Sequence, residues 1–373
     1  MRVTLIISSL AGGGAERVLV LLAEGFLKKG HKVAVVTIFG RENDFYVLPS
    51  EADRLALNIA GNSATLIQAL WNNLYRVPIL KRAIKSTRPD VVISFMDKTN
   101  VLTSVSLIKT KYPLILTEHT DPKMNYCGRG WEKLRRLTYP YASKVVSVSQ
   151  GVDYYFDWLP KKKRAVIYNP LIRIEDNQST GSLPQGAALD KKSIVAMGRL
   201  TYQKGFDLLL LAFQIIADKY PDWQLLILGE GELRKDLEAL RESLCLTHQV
   251  LFPGFIKNPF PVLKNAHIFV LSSRFEGFGN VLIEAMACGL PAISTDCPSG
   301  PREIIRDGVD GILVPNEDFS ALAGAMDRLM SNEEERKRLA ARAPEVSERF
   351  SLEKIVGMWE NLMVEVIKEK QKR

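Results

Sequence analysis

Short apolar runs rich in Val, Ile and Leu alternate with segments of helical period along almost the whole chain. No other feature constrains the fold as much. "VTLIISS" begins at Val3 and is followed by a helical pattern over residues 15–29. "KVAVVTIF", "DVVISF", "LILTEH", "KVVSVS" and "AVIYNP" then start at Lys32, Asp90, Leu114, Lys144 and Ala165. Strands separated by helices predict βαβ units and a parallel sheet. A polar, breaker-rich stretch, "RIEDNQSTGSLPQGAALDKK" from Arg173, interrupts the pattern and reads as a linker. The alternation then restarts with "SIVAMG", "WQLLILGEG", "VLFPGF", "HIFVLSS", "PAISTD" and "GILVP", interleaved with helical stretches.

The pattern predicts an α/β protein of two Rossmann-like, doubly wound domains. The first covers residues 1–180 and the second residues 190–350. A last helix over residues 352–370 spaces Ile355, Val356, Met358, Trp359, Leu362 and Val366 as one apolar face. A length of 373 residues suits two domains, each with its own core. Open parallel sheets bind ligands beyond the carboxyl ends of their strands, so two such domains facing each other would bind in a central cleft.

Several function classes are excluded early. No apolar run approaches the roughly 18 residues of a membrane span. "MRVTLIISSL" lacks a small-residue cleavage pattern and runs on into a helix, so it reads as a buried strand, not a signal peptide. The four cysteines, Cys127, Cys245, Cys288 and Cys297, form no C-x-x-C pair, and the four histidines are scattered. Neither a metal site nor a redox motif is indicated, and cytosolic thiols are the plain reading. His31 and His267 each lead into a strand and read as structural.

Charge is unevenly divided. Residues 1–180 carry 26 Lys and Arg against 15 Asp and Glu, a net +11, whereas the remainder is −3. The asymmetry points to an anionic partner for the first half, while any single basic cluster reads equally well as a solvated face. The basic clusters are spread over several elements without a recognition-helix or zinc-finger pattern, which argues against nucleic acid.

The loops after the strands carry the chemistry. "LAGGGAER" opens the first helix after the first strand; its glycines admit either a closely approaching anion or a tight turn. It is not a dinucleotide fingerprint, since Gly12 and Gly14 fit G-x-G-x-x-G but Arg17 stands at the third position. His119, just past a strand in "TEHTDP", is in a ligand-facing position. In "MGRLTYQKGFDLLL", Arg199 and Lys204 put two cations beside a helix start, a suitable site for a diphosphate. "RFEGFGNVLIEA" places Glu276 before a glycine turn and Glu284 within the helix that follows. A carboxylate can accept from two adjacent sugar hydroxyls. The pair could therefore grip a ribose and a transferred sugar on either side of a diphosphate, although a glutamate near a helix start can also simply complement the dipole.

Taken together, "GGGAER", "EHT", "GRLTYQKGFDLLL", "GEG" and the E-x7-E element of Glu276 and Glu284 resemble the retaining glycosyltransferases of family 4, which have the GT-B architecture. The order and spacing of these motifs match over nearly the whole chain. The resemblance implies that Glu284 binds the ribose hydroxyls and Glu276 those of the donor sugar. Arg199 and Lys204 would hold the diphosphate with the amides of Gly279, Asn280 and Val281. His119 would contact the donor sugar near the reacting centre. Gly13 and Gly14 would lie close to the donor phosphates or the acceptor, and Phe255 and Ile256 would cradle the base. The last helix, residues 352–373, would cross back to the first domain.

No metal or other cofactor is implied, and the nucleotide sugar, most commonly UDP-linked in similar chains, is a substrate. The family is described by a front-face mechanism in which the leaving diphosphate helps remove the acceptor proton. "CPSGPREII" after Asp296 resembles members that assemble surface polysaccharide or lipid-linked oligosaccharide. A polyprenyl-diphosphate-linked saccharide is therefore the expected acceptor, with a soluble sugar acceptor or a non-catalytic nucleotide-sugar-binding scaffold as the alternatives. The implied location is cytoplasmic, at the inner face of an anionic membrane. The segment "GWEKLRRLTYPYASK", with Trp131, Lys133, Arg135, Arg136, Tyr139 and Tyr141, suits either an interfacial contact or an ordinary covering helix.

Overall fold

A computed structural model of the chain describes residues 1–42, 44–61, 66–124, 126–172 and 191–372, and of residues 66–74 the backbone. The linker stretch expected from Arg173 to Lys192 lies outside the described residues over 173–190, and its last residue, Lys192, begins a strand. The chain divides into two compact units, Met1–Pro170 with Leu352–Arg373, and Leu171–Ser351. The first division thus falls between Pro170 and Leu171, earlier than the expected boundary at residue 180. Leu171 belongs with the second unit because its amide donates to the carbonyl of Phe350 (2.8 Å).

Unit 1 is built on seven parallel strands: β1 (Arg2–Ile7), β2 (Lys32–Thr37), β3 (Asp53–Ala56), β4 (Val91–Phe95), β5 (Leu114–Glu118), β6 (Lys144–Ser147) and β7 (Arg164–Val166). Their order is β3-β2-β1-β4-β5-β6-β7. Strands β1, β2, β4 and β5 are almost wholly buried, as near-continuous apolar runs covered on both faces must be. The sequence reading missed β3. It is a short edge strand, "DRLA", only half-buried, so it carries no apolar run.

The helix Gly14–Lys28 follows β1 and buries Val18, Leu19, Leu22 and Phe26. The helix Leu352–Gln371 belongs to this unit and adds Ile355, Val356, Trp359, Leu362, Met363 and Val366 to its core. The two helices meet at Gly25, where a Cβ would overlap the side chain of Val356. His31 Nε2 bonds Glu360 (2.8 Å), and Lys144 bonds Glu365 (2.7 Å). His31 is structural, as its position implied.

Unit 2 holds six parallel strands: β8 (Lys192–Met197), β9 (Trp223–Leu228), β10 (Val250–Gly254), β11 (Ile268–Leu271), β12 (Ala292–Thr295) and β13 (Gly311–Val314), in the order β10-β9-β8-β11-β12-β13. The helix Phe206–Ile216 buries Leu209, Leu210 and Phe213 against Ile194, Leu225 and Ile268. His267 is structural here too, its Nδ1 accepting from the amide of Ser193 (3.2 Å).

Both sheets therefore reverse direction once. Neighbouring strands whose connections run to opposite sides are β1 and β4 in unit 1, and β8 and β11 in unit 2. Loops leaving the carboxyl ends at such a point splay apart and leave room for a ligand. Among the described residues no helix is long and apolar enough to cross a membrane.

Candidate active site

In unit 2 the register of β8 with β11 (Ile194 opposite Ile268) sets the loops after the two strands side by side. The first loop ends in a 3-10 turn, Tyr202–Lys204, and Gly205 then starts the helix Phe206–Ile216. Gly205 has φ +61°, and a Cβ there would run into the carbonyl oxygen of Ser272, so only glycine fits both the backbone and the space. The same close approach lets the Ser272 hydroxyl donate to the Lys204 carbonyl (2.9 Å).

The stem of Lys204 lies over Gly198, and its ammonium reaches Glu276 Oε1 at 2.6 Å. The Ser273 hydroxyl donates to the same oxygen (2.7 Å). The Lys204 and Glu276 side chains are 15% and 8% exposed, so the pair is largely withdrawn from water yet still open at one edge. The sequence reading gave Lys204 and Glu276 separate partners, a phosphate and a sugar. The structure joins them to one another.

The other expected residues distribute as follows. Arg199 leaves β8 on the same loop, but its side chain is exposed and forms no ion pair among the described residues. Gly279, φ +108°, begins the helix Asn280–Ala287 without a side-chain cap, so Asn280 and Val281 form a first turn whose amides point along the helix axis toward the loop. Glu284 is buried on that helix, one turn beyond Asn280. Phe255 and Ile256 follow β10, two strands from the reversal point. Phe255 is 60% exposed and Ile256 half-buried.

In unit 1, Gly13 caps and Gly14 begins the helix after β1, but the Glu16 carboxylate curls back into the space a Gly13 side chain would fill. An anion at this loop would have to displace it.

His119 follows β5. Its ring stacks on Phe95 (centroids 5.4 Å apart), and Nε2 lies 3.1 Å from Thr117 Oγ1. The Thr117 hydroxyl donates to the Ser94 carbonyl (3.1 Å), so its oxygen is left to accept from Nε2–H. The imidazole is then neutral with a lone pair on Nδ1, which is buried and has no hydrogen-bond partner. Burial pushes the His119 pKa down to about 3.

Family models match both halves of the chain. The model described as "Glycosyltransferase Family 4" matches residues 12–171, and "Glycosyl transferases group 1" matches residues 183–346. A Campylobacter jejuni GalNAc-alpha-(1->4)-GalNAc-alpha-(1->3)-diNAcBac-PP-undecaprenol alpha-1,4-N-acetyl-D-galactosaminyltransferase is 30% identical across 98% of this chain and 99% of its own length. The chain belongs to the glycosyltransferases of family 4.

Solved structures agree on the fold of this glycosyltransferase, which is GT-B. Sucrose-phosphate synthase from Thermosynechococcus elongatus superposes with a TM-score of 0.83 at 20% identity, covering 99% of this chain and all of that one. Anabaena HepE, in complex with UDP and glucose, gives 0.78 at 20% identity over 98% and 99% of the two chains.

Sequence reasoning missed a buried polar cluster in unit 1 of the glycosyltransferase. Glu118 Oε1 accepts from the Tyr139 hydroxyl and from Asn100 Nδ2 (3.1 Å). Nearby, Arg135 bonds Glu132 (2.5 Å) and lies 3.7 Å from Asp97. Burial raises the Glu118 pKa to about 7, with the Arg135 charge opposing the shift. The segment around Lys133 therefore serves two environments. Arg135 and Tyr139 turn inward, which corrects their expected place in a surface contact, whereas Lys133, Leu134, Arg136, Leu137 and Tyr141 are exposed. A signal was present in "KLRR": neighbouring helical positions point about 100° apart, so the two arginines need not share one environment.

Arg274, the first residue of the "RFEGFG" stretch, was also passed over. Its guanidinium is buried against Asp207. Among the described residues no cluster of three His, Cys, Asp or Glu side chains could hold a metal ion.

Proposed function

We propose that this glycosyltransferase moves a hexose or N-acetylhexosamine from a UDP-sugar to a polyprenyl-diphosphate-linked saccharide, with retention at the anomeric carbon and without a metal ion. The single observation that carries the reading is the largely buried Lys204–Glu276 pair at the strand reversal of unit 2. Each member of that pair has a counterpart in a nucleotide sugar. The ammonium suits a phosphate oxygen, and the carboxylate suits a pair of sugar hydroxyls.

On donor binding, Lys204 turns from Glu276 to the diphosphate, joined by Arg199 and the amides of Gly279, Asn280 and Val281. Glu276 accepts from the transferred sugar and Glu284 from the ribose. Phe255 and Ile256 flank the base. The bond from the anomeric carbon to the diphosphate oxygen breaks as the bond to the acceptor oxygen forms on the same face. The acceptor proton passes to the departing diphosphate. Cations and amides already in place stabilise the charge growing on that leaving group, the part a metal plays elsewhere. A neutral His119 contacts the sugar near the reacting centre, with Gly13 and Gly14 close to the donor phosphates or acceptor.

The undecaprenol-linked substrate in the name of the Campylobacter relative supports a lipid-linked acceptor, and UDP in the HepE complex supports the nucleotide. The exposed face of the helix Arg129–Thr138 supports a peripheral site on an anionic, cytoplasmic membrane surface. Leu134 and Leu137 face solvent there beside Arg129, Lys133 and Arg136, with Tyr141 70% exposed just beyond. Each such cation near an anionic bilayer contributes about 1 kcal/mol.

The test is incubation with UDP-sugars and a polyprenyl-diphosphate-linked saccharide in excess EDTA, with the product's anomeric configuration read by NMR. The expected product keeps the donor's configuration. An inverted product, or turnover abolished by EDTA and restored by a divalent ion, contradicts the reading. Flotation with anionic vesicles at low salt tests the membrane contact, and protein remaining in the bottom fraction rejects it.

A further inference from the structure

Lys204 and Glu276 sit on different loops, and an ion pair between loops is only as well aligned as the loops themselves. One residue ties these two together more than any other. The Arg274 amide donates to the Gln203 carbonyl (2.8 Å), and Gln203 Nε2 returns a bond to the Phe275 carbonyl (3.0 Å). The guanidinium of Arg274 then reaches back across the same gap. It donates to the Tyr202 carbonyl (2.9 Å) and to both oxygens of Asp207 (2.8 and 2.6 Å), and it lies over the Tyr202 ring, 4.1 Å from its centroid. Tyr202 is two residues before Lys204, and Asp207 stands in the first turn of the helix that Gly205 opens.

A third loop joins from the far side. After β13, Glu317 meets Arg274 Nε (3.2 Å), and the Asn316 side chain donates to the Arg274 carbonyl (3.0 Å). Glu317 has φ +59°, a conformation that costs energy in a residue with a side chain and that these contacts hold in place.

We propose that Arg274 is a positioning residue for glycosyl transfer: it locks the loops after β8, β11 and β13 in one geometry so that Lys204 and Glu276 meet the donor already aligned. This rests on the donor site proposed above. The Arg274 guanidinium is occupied by Tyr202, Asp207 and Glu317 and is assigned no contact with the donor. It acts by removing the freedom of the two groups that touch the donor. The planar fork matters more than the charge, because one guanidinium satisfies a carbonyl and both carboxylate oxygens at once from separate nitrogens, whereas an ammonium carries its three donors on one atom and cannot span them.

The experiment compares wild type, Arg274→Lys, Lys204→Ala and the double variant by two readouts. The first is hydrogen–deuterium exchange of the segment 201–206, which needs no ligand. The second is UDP affinity by calorimetry. Arg274→Lys is expected to speed exchange in that segment at least tenfold while the rest of unit 2 keeps its protection, and to weaken UDP binding at least tenfold. In the Lys204→Ala background it is expected to change UDP affinity by less than twofold, because Lys204 is the one diphosphate group proposed above that lies in the segment 202–207 held by the Arg274 guanidinium.

Unchanged exchange in Arg274→Lys overturns the proposal. So does a tenfold UDP loss that persists undiminished in the double variant, which marks general damage. Faster exchange in Arg274→Lys, together with a wild type that does not bind UDP, rejects the donor site but leaves the loop lock standing. If Arg274→Lys fails to fold, Gln203→Leu removes one of the same cross-ties from a half-buried position. It is expected to speed exchange in the segment about threefold, and no change there counts against the lock.

Discussion

Lys204 Nζ donates to Glu276 Oε1 across 2.6 Å, joining the loop after β8 to the loop after β11. The two partners differ in what their loss leaves behind. Without Lys204, Glu276 retains the Ser273 hydroxyl. Without Glu276, a largely buried ammonium loses the one charged partner it has among the described residues. Lys204→Ala and Glu276→Ala are each expected to lower turnover about 100-fold or more, the scale of removing a charge-stabilising group from a catalytic site. Their cost in stability is expected at about 1–3 kcal/mol. Turnover and urea denaturation of the purified variants check both, and Lys204→Ala with undiminished turnover refutes the role.

Glu118 gives stability a pH dependence of unusual sign. Its pKa is raised to about 7 when folded, mainly by burial, so the folded chain holds a proton that the unfolded chain releases near the ordinary carboxylate value. Its contribution is full below about pH 4.5 and is lost as pH rises through 7. Glu118→Gln removes this limb. Wild type minus variant stability is expected to fall by up to about 3 kcal/mol between pH 4.5 and 7.5. Denaturation at several pH values measures the difference, and a pH-independent difference contradicts the assignment.

His119 runs the opposite way. Its pKa is pushed down to about 3 by burial, so the unfolded chain gains a proton before the folded one does. Stability from this group is present above about pH 6.5 and declines as pH falls toward 3. In NMR, the His119 ring resonances are expected to stay constant from pH 8 to 5, with the Nε2–H tautomer throughout. A titration midpoint between 6 and 7 overturns this placement.

The helix Leu352–Gln371 is expected to be an integral part of unit 1, although it follows all of unit 2 in the chain. Trp359 is buried among Val356, Leu362 and Met363. Trp359→Ala is expected to cost about 3–5 kcal/mol, read by chemical denaturation. A loss below 1 kcal/mol shows the helix to be only loosely attached.

Much of the architecture was legible because buried parallel strands announce themselves. Runs such as "DVVISF" and "HIFVLSS" carry three or four consecutive large apolar residues without polar alternation, as a strand covered on both faces requires. β3 was not legible, since an edge strand of two charged and two apolar residues resembles a loop. Strand order was also hidden, because neighbours such as β1 and β4 are set by packing and not by local pattern. At the site, glycine-turn-helix spacing marked Lys204, Glu276 and Gly279. It could not show that Lys204 and Glu276 touch, because that contact spans 72 positions of sequence. Arg274 and Glu118 escaped notice, and Arg135 was placed on the surface, for a related reason. A charged residue reads as surface until the structure supplies its buried surroundings, and the groups that meet Arg274 and Glu118 there, Asp207, Asn100 and Tyr139, are distant in the chain.

The most direct test is a crystal of the protein soaked with a UDP-sugar. The diphosphate is expected beside the Gly279 turn, with Lys204 Nζ moved from Glu276 to a phosphate oxygen and Glu276 accepting from hydroxyls of the sugar. A bound nucleotide sugar that leaves the 2.6 Å pair intact, with its diphosphate away from Lys204, contradicts it.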